Sequence, residues 1–244
     1  MANSILTNNS AMVALTNLRT VNRNLAQVQD QISSGKKIGN AKDNAAVWAV
    51  STVIKSDVEG FKKITDSLNL GGATVAVARG AAEQVVDLLN QVKGLVVQAQ
   101  ESNVDKTKIQ ADITRLTEQV DSIVNAAQFN GLSLVKGTGS VDFLASLDRD
   151  SAGVVTASSI SVDRENLETA SGGGLEDLAG IDVTTDAAGA LADMEGLIQT
   201  AIDAAAAFGS GQKRLDIQNE FVKNLTTALE SGIGALTDAD LEEA

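Results

Sequence analysis

The 244-residue sequence has no cysteine, histidine, proline or tyrosine, and only one tryptophan and five phenylalanines. Each absence excludes something. Without cysteine there is neither a disulfide framework nor a thiolate nucleophile. Without histidine, the usual general base near neutral pH and the commonest metal ligand are both missing. Cysteine usage therefore leaves the redox compartment open. Without proline, helices can run long with no kink. Basic residues are also scarce: 19 Lys and Arg face 32 Asp and Glu, a net charge of −13, which argues against a nucleic-acid partner because phosphate binding needs a cationic face. No apolar run reaches about 18 residues, so no membrane-spanning helix is expected. The opening Met-Ala-Asn-Ser-Ile-Leu-Thr-Asn-Asn-Ser has neither the charged start nor the apolar block of a cleaved signal peptide. Export would have to use another route.

What the chain does have is helical periodicity. Alternating steps of three and four residues from Val47 to Ala99 meet sixteen positions, of which fourteen are apolar, with Asp57 and Gly71 the exceptions. Such a narrow stripe is a coiled-coil seam rather than the broad face of a surface helix. A helix of that length would be a rod of roughly 80 Å. Its seam needs a partner of similar length, since most helical stability comes from packing. The expected core positions on it are Ile54, Phe61, Ile64, Leu68, Val85, Leu89 and Val92. Glycines 60, 71, 72, 80 and 94 each cost up to about 1 kcal/mol against alanine in a helix interior, so packing and not propensity must hold this helix.

Ahead of it, residues 1–34 form a first helical segment that Ser33-Ser34-Gly35 ends. Its stripe includes Leu18, Val21, Leu25, Val28 and Ile32. Ten of the first 42 residues are Asn or Gln, and the five cations there outnumber a lone Asp30. Amides desolvate far more cheaply than charges, so this face suits later burial against copies of the same chain. The stripe is therefore expected to be an assembly seam, unpaired or disordered in the monomer. Residues 35–46 are a connector, with Asn40 and Asp43 as candidate caps.

Beyond a polar break at Glu101–Asp105 comes a shorter helix with core positions Ile113, Leu116 and Val120. From about residue 128 to 186 the period changes to short alternating runs, Leu132–Val135, Val141–Leu144 and Val154–Val162, separated by glycine-containing turns; two small β-hairpins are expected. The missing partner comes last, as a second long helix from about Ala187 to Asp240. A phase shift is expected near Gly209-Ser-Gly211, before Leu215, Val222, Leu225 and Leu229. The fold class is thus mainly α: a long antiparallel coiled-coil-like bundle of three to four helices with small β-hairpins at one end. Two regions are expected, residues 1–45 and residues 46–244.

Catalytic signals are weak. Asp148-Arg-Asp150-Ser-Ala-Gly153 has acids at the first and third places of a calcium loop. Ser159, however, stands where a bidentate Glu is required, and a turn is the better reading. Gly172-Gly-Gly174 lacks the strand, Lys and helix setting of a phosphate loop. No enzyme activity, metal or cofactor is expected.

Several motifs in order resemble those of bacterial flagellins. They are the opening run Ser4–Leu18, the segment Gln31-Ile-Ser-Ser-Gly-Lys-Lys-Ile-Gly-Asn-Ala-Lys-Asp-Asn-Ala45, Ala127-Gln-Phe-Asn-Gly131 at the end of the third helix, and Asp238-Ala-Asp-Leu-Glu242. The Gly-Lys-Lys-Ile-Gly and Asp-Ala-Asp-Leu variants look most like the α-proteobacterial type. The resemblance implies a structural subunit that polymerises with copies of itself into the flagellar filament for swimming. It also implies an extracellular location reached through the flagellar export apparatus. In this family the amino-terminal helix pairs with a carboxy-terminal helix to form the inner core, while the helical bundle forms the outer core. By the resemblance, the family normally continues past the position of residue 244 with that carboxy-terminal helix, and the sequence is expected to be without it. The export chaperone and the cap protein are accordingly partners expected of a full-length form. Two alternatives share the pattern: a hook–filament junction protein of the same family, and a flagellin-like surface adhesin or polysaccharide binder, whose aromatic-lined groove is hard to build from so few aromatics.

Overall fold

In the computed structural model, residues 8–150 and 152–240 are described. Residues 1–7 of the expected first segment, Ser151 of the expected turn and Leu241-Glu242 of the motif that begins at Asp238 lie outside them. The chain forms α1 (Asn9–Ser34), α2 (Ala45–Gln98), α3 (Lys106–Ala126), β1 (Ser140–Arg149), β2 (Val155–Asp163), a 3-10 turn (Glu176–Gly180) and α4 (Ala187–Thr237). The fold is mainly α. It divides into two units, one of residues 1–60 with 224–244 and one of residues 61–223.

In the second unit α2 and α4 run antiparallel. Asn219 Nδ2 donates to Asn69 Oδ1 at 2.7 Å, and the Lys93 ammonium pairs with Glu195 at 2.5 Å. Going 24 residues forward from Asn69 to Lys93 therefore matches going 24 back from Asn219 to Glu195, which is the register of two helices side by side. The α2 stripe is closed from Phe61 onward: Ile64, Leu68, Val75, Val85, Leu89, Val92 and Val96 have at most 1% of their surface exposed. On α4 the facing stripe is Met194, Ile198, Ala201, Ala204, Phe208, Leu215 and Val222. The expected phase shift at residues 209–211 does not occur. Gly211 is itself a buried stripe position, and Val162 Cγ1 lies 3.3 Å from where its Cβ would be. The sequence shows a gap there only because the side chain that fills it comes from β2.

Asp105 caps α3, accepting from the Lys108 N–H at 3.3 Å; that backbone bond is the chief cause of its lowered pKa. Ile109, Ile113, Val120 and Val124 turn inward. Gln110 of α3 grips the chain ahead of α4, donating to Ile181 O at 2.8 Å and accepting from Val183 N–H at 2.9 Å.

A single antiparallel β-hairpin is present among the described residues, not two. Strands β1 and β2 pair with a bulge between Leu144 and Ser146. The run Leu132–Val135 forms no strand: Phe129 and Leu132 close a tight turn through Asn130 (φ 51°) and Gly131 (φ 81°), leaving Leu134 and Val135 to enter the core. The bulge residue Ala145 is 4% exposed and its carbonyl accepts from Gln218 Nε2 at 2.9 Å, which ties the hairpin to α4. Phe143 lies on the Gly71 backbone of α2, so close that a Cβ at that position would sit 2.7 Å from its ring. This is why the seam reads glycine there. At residues 172–174, Gly173 and Gly174 let the backbone approach Glu168 and Asn166 more closely than any Cβ allows, a turn reason for the triple glycine.

Candidate assembly surfaces

The first unit holds α1, residues 45–60 of α2 and residues 224–237 of α4. Asn8 caps α1 by accepting from the Ala11 N–H at 3.2 Å, and Gly35 ends it at φ 67°, where an L side chain would be strained. Between those caps α1 buries no residue. Leu18, Val21, Leu25 and Ile32 are 54–61% exposed, and Val28 is half-buried. Met12, Val13 and Leu15 widen the apolar strip. Its charged members are only Arg19, Arg23 and Asp30, and the hydroxyls of Thr16 and Thr20 are turned back onto the backbone at Met12 O and Thr16 O. Burying one such Val or Leu side chain contributes roughly 1.5–3 kcal/mol. A helix carrying several of them in water presents an apolar strip larger than scattered single residues would make.

The foot of α1 is pinned. The N–H groups of Lys37 and Ile38 donate to Thr237 O at 2.8 and 3.2 Å, and the Ala239 N–H donates to Gly35 O at 3.1 Å. Thr237 is 1% exposed, so these bonds are sheltered from water. Because Lys36 and Asp238 pair antiparallel, the chain leaving α4 is directed back toward the end of α1. The two candidate caps of the connector do other work. Asp43 accepts from Gly39 and Asn40 N–H groups, and Asn40 from Lys42 N–H, while α2 is capped by Asn44, which accepts from Val47 N–H at 3.2 Å.

Of the sequence-derived core positions, Phe61, Ile64, Leu68, Val85, Leu89, Val92, Ile113, Val120, Leu215 and Val222 lie in the second unit's core, and Leu116 at its half-buried edge. Ile54, Leu225 and Leu229, in the first unit, are half-buried. The start of the long seam departs from its spacing: Val50 is 53% exposed, whereas Ser51 and Val58 are buried, one residue on from the expected Val50 and Asp57. Ser51 can take a core place because its hydroxyl donates to Trp48 O at 3.0 Å. Spacing alone missed Leu134, Leu167, Leu175 and Leu178, each at most 1% exposed, because they sit in loops with no period.

Among the described residues no group of three or more His, Cys, Asp or Glu could hold a metal ion, and no helix is long and apolar enough to cross a membrane. Burial, with the charges of Asp163 and Asp203 nearby, raises the Glu165 carboxyl above its ordinary value.

The family model for the bacterial flagellin N-terminal helical region matches residues 5–140. Flagellin C of Rhizobium meliloti (strain 1021) is 32% identical over 98% of this chain and 88% of its own length. Flagellin FljM of Caulobacter vibrioides is 36% identical over 98% of this chain and 86% of its own. The crystal structure of Bacillus cereus flagellin aligns over 70% of this chain and 94% of its own at 20% identity with a TM-score of 0.45, too distant to add to the argument. A match of that extent to the family model, and identities above 30% over nearly the whole chain, place one conclusion on the helices described above: the chain belongs to the bacterial flagellin family.

Proposed function

We propose that this flagellin acts as the repeating structural subunit of a flagellar filament, and that α1 is the surface through which copies of it join. The observation that carries the reading is the helix itself: 26 residues, capped at both ends, with an apolar strip and no buried residue. In this reading residues 1–45 form the inner core and residues 46–244 the outer core. The stripe Leu18, Val21, Leu25, Val28 and Ile32 is covered on assembly. The antiparallel bridge of Lys36 with Asp238 supports an inner core in which chain following α4 is aimed along α1. Work of this kind is mechanical, spread over seams, and needs no catalytic group. Passage through the flagellar export apparatus, with an export chaperone and a cap protein as partners, completes the proposal.

The test is to place charge on the strip with Leu18→Glu and Leu25→Glu together, in the native gene of the source bacterium. Filaments are expected to be lost, while the purified variant keeps its helical circular-dichroism signal and its unfolding midpoint, because neither residue is buried. Wild-type-length filaments from the double variant would refute the role given to α1.

A further inference from the structure

Asn130-Gly131 is the one Asn-Gly step in the sequence. Both residues are exposed, at the tip of the tight turn that follows α3. Neither the Gly131 N–H nor the Asn130 side-chain amide makes a hydrogen bond among the described residues. Glycine also carries no side chain to shield its nitrogen. A backbone nitrogen that follows an asparagine closes a five-membered ring if it attacks the side-chain Cγ, but the folded turn prevents this. At φ 51° Asn130 is in the left-handed region, where ψ is about +47°. That ψ puts the Gly131 nitrogen on the far side of the Cα–C bond from the Asn130 side chain. Bringing it round to face Cγ takes nearly half a turn in ψ. Such a rotation breaks both bonds that close the turn, Phe129 N–H to Leu132 O at 2.9 Å and Leu132 N–H to Phe129 O at 3.0 Å. The nitrogen is open to solvent and aimed away from its target.

We propose that Asn130 is a self-modification site gated by folding, which deamidates while its turn is open and is spared while the turn is closed. The Gly131 nitrogen gives its proton to solvent and attacks Asn130 Cγ. A bond from that nitrogen to Cγ forms, the Cγ–Nδ2 bond breaks, and Nδ2 takes a proton from water and leaves as ammonia. Water then opens the succinimide at one of its two carbonyls, leaving aspartate or isoaspartate at position 130. In the isoaspartate product the main chain runs through the former side chain and is one atom longer. The register of a two-residue loop is fixed by its length, so the lengthened loop cannot close on the same pair. Core packing depends on that register. Leu134 and Val135, just beyond the turn, are at most 1% exposed, and their carbonyls accept from the Glu165 and Leu167 N–H groups, each at 2.9 Å. A chain that ages unfolded is thereby shut out of the native packing, whereas one that folds promptly keeps its asparagine. None of this depends on the filament reading.

The test incubates the full chain in mildly alkaline buffer, folded and in guanidinium chloride. Samples are digested with pepsin in acid, where ring closure is slow, and position 130 is followed by mass spectrometry. Deamidation there is expected to be at least about tenfold faster in denaturant, because the folded turn reacts only through its open fraction. Equal rates in the two buffers, or an unmodified position 130 in denaturant, would overturn the gating. Chain aged in denaturant is then returned to native buffer and sorted by resistance to trypsin. Isoaspartate should collect in the sensitive fraction, and equal content in both fractions would overturn the exclusion. Asn130→Asp, which adds the charge without lengthening the backbone, should be as resistant as the unaged chain. A sensitive Asn130→Asp would show that charge, not the extra backbone atom, does the excluding, and would overturn that step.

Discussion

Alanine at Gly71 tests whether the hairpin is seated on the bundle as described. Its Cβ would lie 2.7 Å from Phe143 Cδ1 and 2.8 Å from Cγ. Carbon atoms prefer about 3.5–4.0 Å, so the ring must retreat by roughly 1 Å. Phe143 is 6% exposed and lies against α2 at Gly71, so that retreat disturbs packed neighbours at about 1–3 kcal/mol. Replacing glycine in a helix interior returns about 1 kcal/mol. Gly71→Ala should therefore be neutral to destabilising by about 2 kcal/mol. Gly80→Ala and Gly94→Ala meet nothing within 4 Å and should each stabilise by up to about 1 kcal/mol. The decisive comparison adds Phe143→Ala, which alone should cost about 3–5 kcal/mol. With the ring gone, Gly71→Ala should change sign and stabilise. Urea unfolding of the four variants gives the coupling directly. Equal effects of Gly71→Ala with and without the ring, or equal effects at Gly71 and Gly80, would refute the reasoning.

Other outcomes follow from the same contacts. Glu165 has a raised pKa in the folded state, so the fold binds its proton more tightly than the unfolded chain does. The resulting penalty is absent below the unfolded pKa and fully present above the folded one; Glu165→Gln should raise the melting temperature at pH 7 and lose that advantage in acid. The Asp105 and Asp182 carboxyls are held low, Asp105 chiefly by the Lys108 N–H and Asp182 chiefly by the Thr184 hydroxyl, so the stability they add is present above the unfolded carboxylate pKa and lost as pH falls through their folded values. Asp105→Asn, which keeps a capping oxygen, should flatten part of the acid limb of the stability curve. Limited proteolysis of the free chain should remove roughly residues 1–45 and spare residues 61–223, since local opening costs little where no side chain is buried; a resistant amino terminus would count against an uncovered α1.

Much of this was legible because period-3.5 patterning needs only apolar residues at regular steps. Val85, Leu89, Val92 and Val96 announce a buried stripe whichever helix covers it. Two failures have the same physical root. At Gly211 and Gly71 the side chain filling the interface belongs to a strand far away in sequence, so Gly211 read as a phase shift and Gly71 as a gap in the apolar seam, when they are sockets for Val162 and for Phe143. At Val50 the stripe slipped by one residue because Ser51, by satisfying its hydroxyl on Trp48 O, can pass as a small core residue. Period also says nothing about loops: Leu167, Leu175 and Leu178 are buried through turns set by glycine and backbone bonds, which leave no repeat to read. The α1 strip was visible in sequence as apolar positions set among amides. That nothing in the single chain covers it was expected from the amides around it, since patterning alone marks a face without saying whether anything covers it.

The central claim is that this chain is the repeating material of a filament. The most direct measurement is immunogold electron microscopy of the source cells with antibody raised against residues 61–223. Label along the whole length of the flagellum is the predicted result. Label confined to the junction between hook and filament, or scattered over the cell body beside bare filaments, would contradict it.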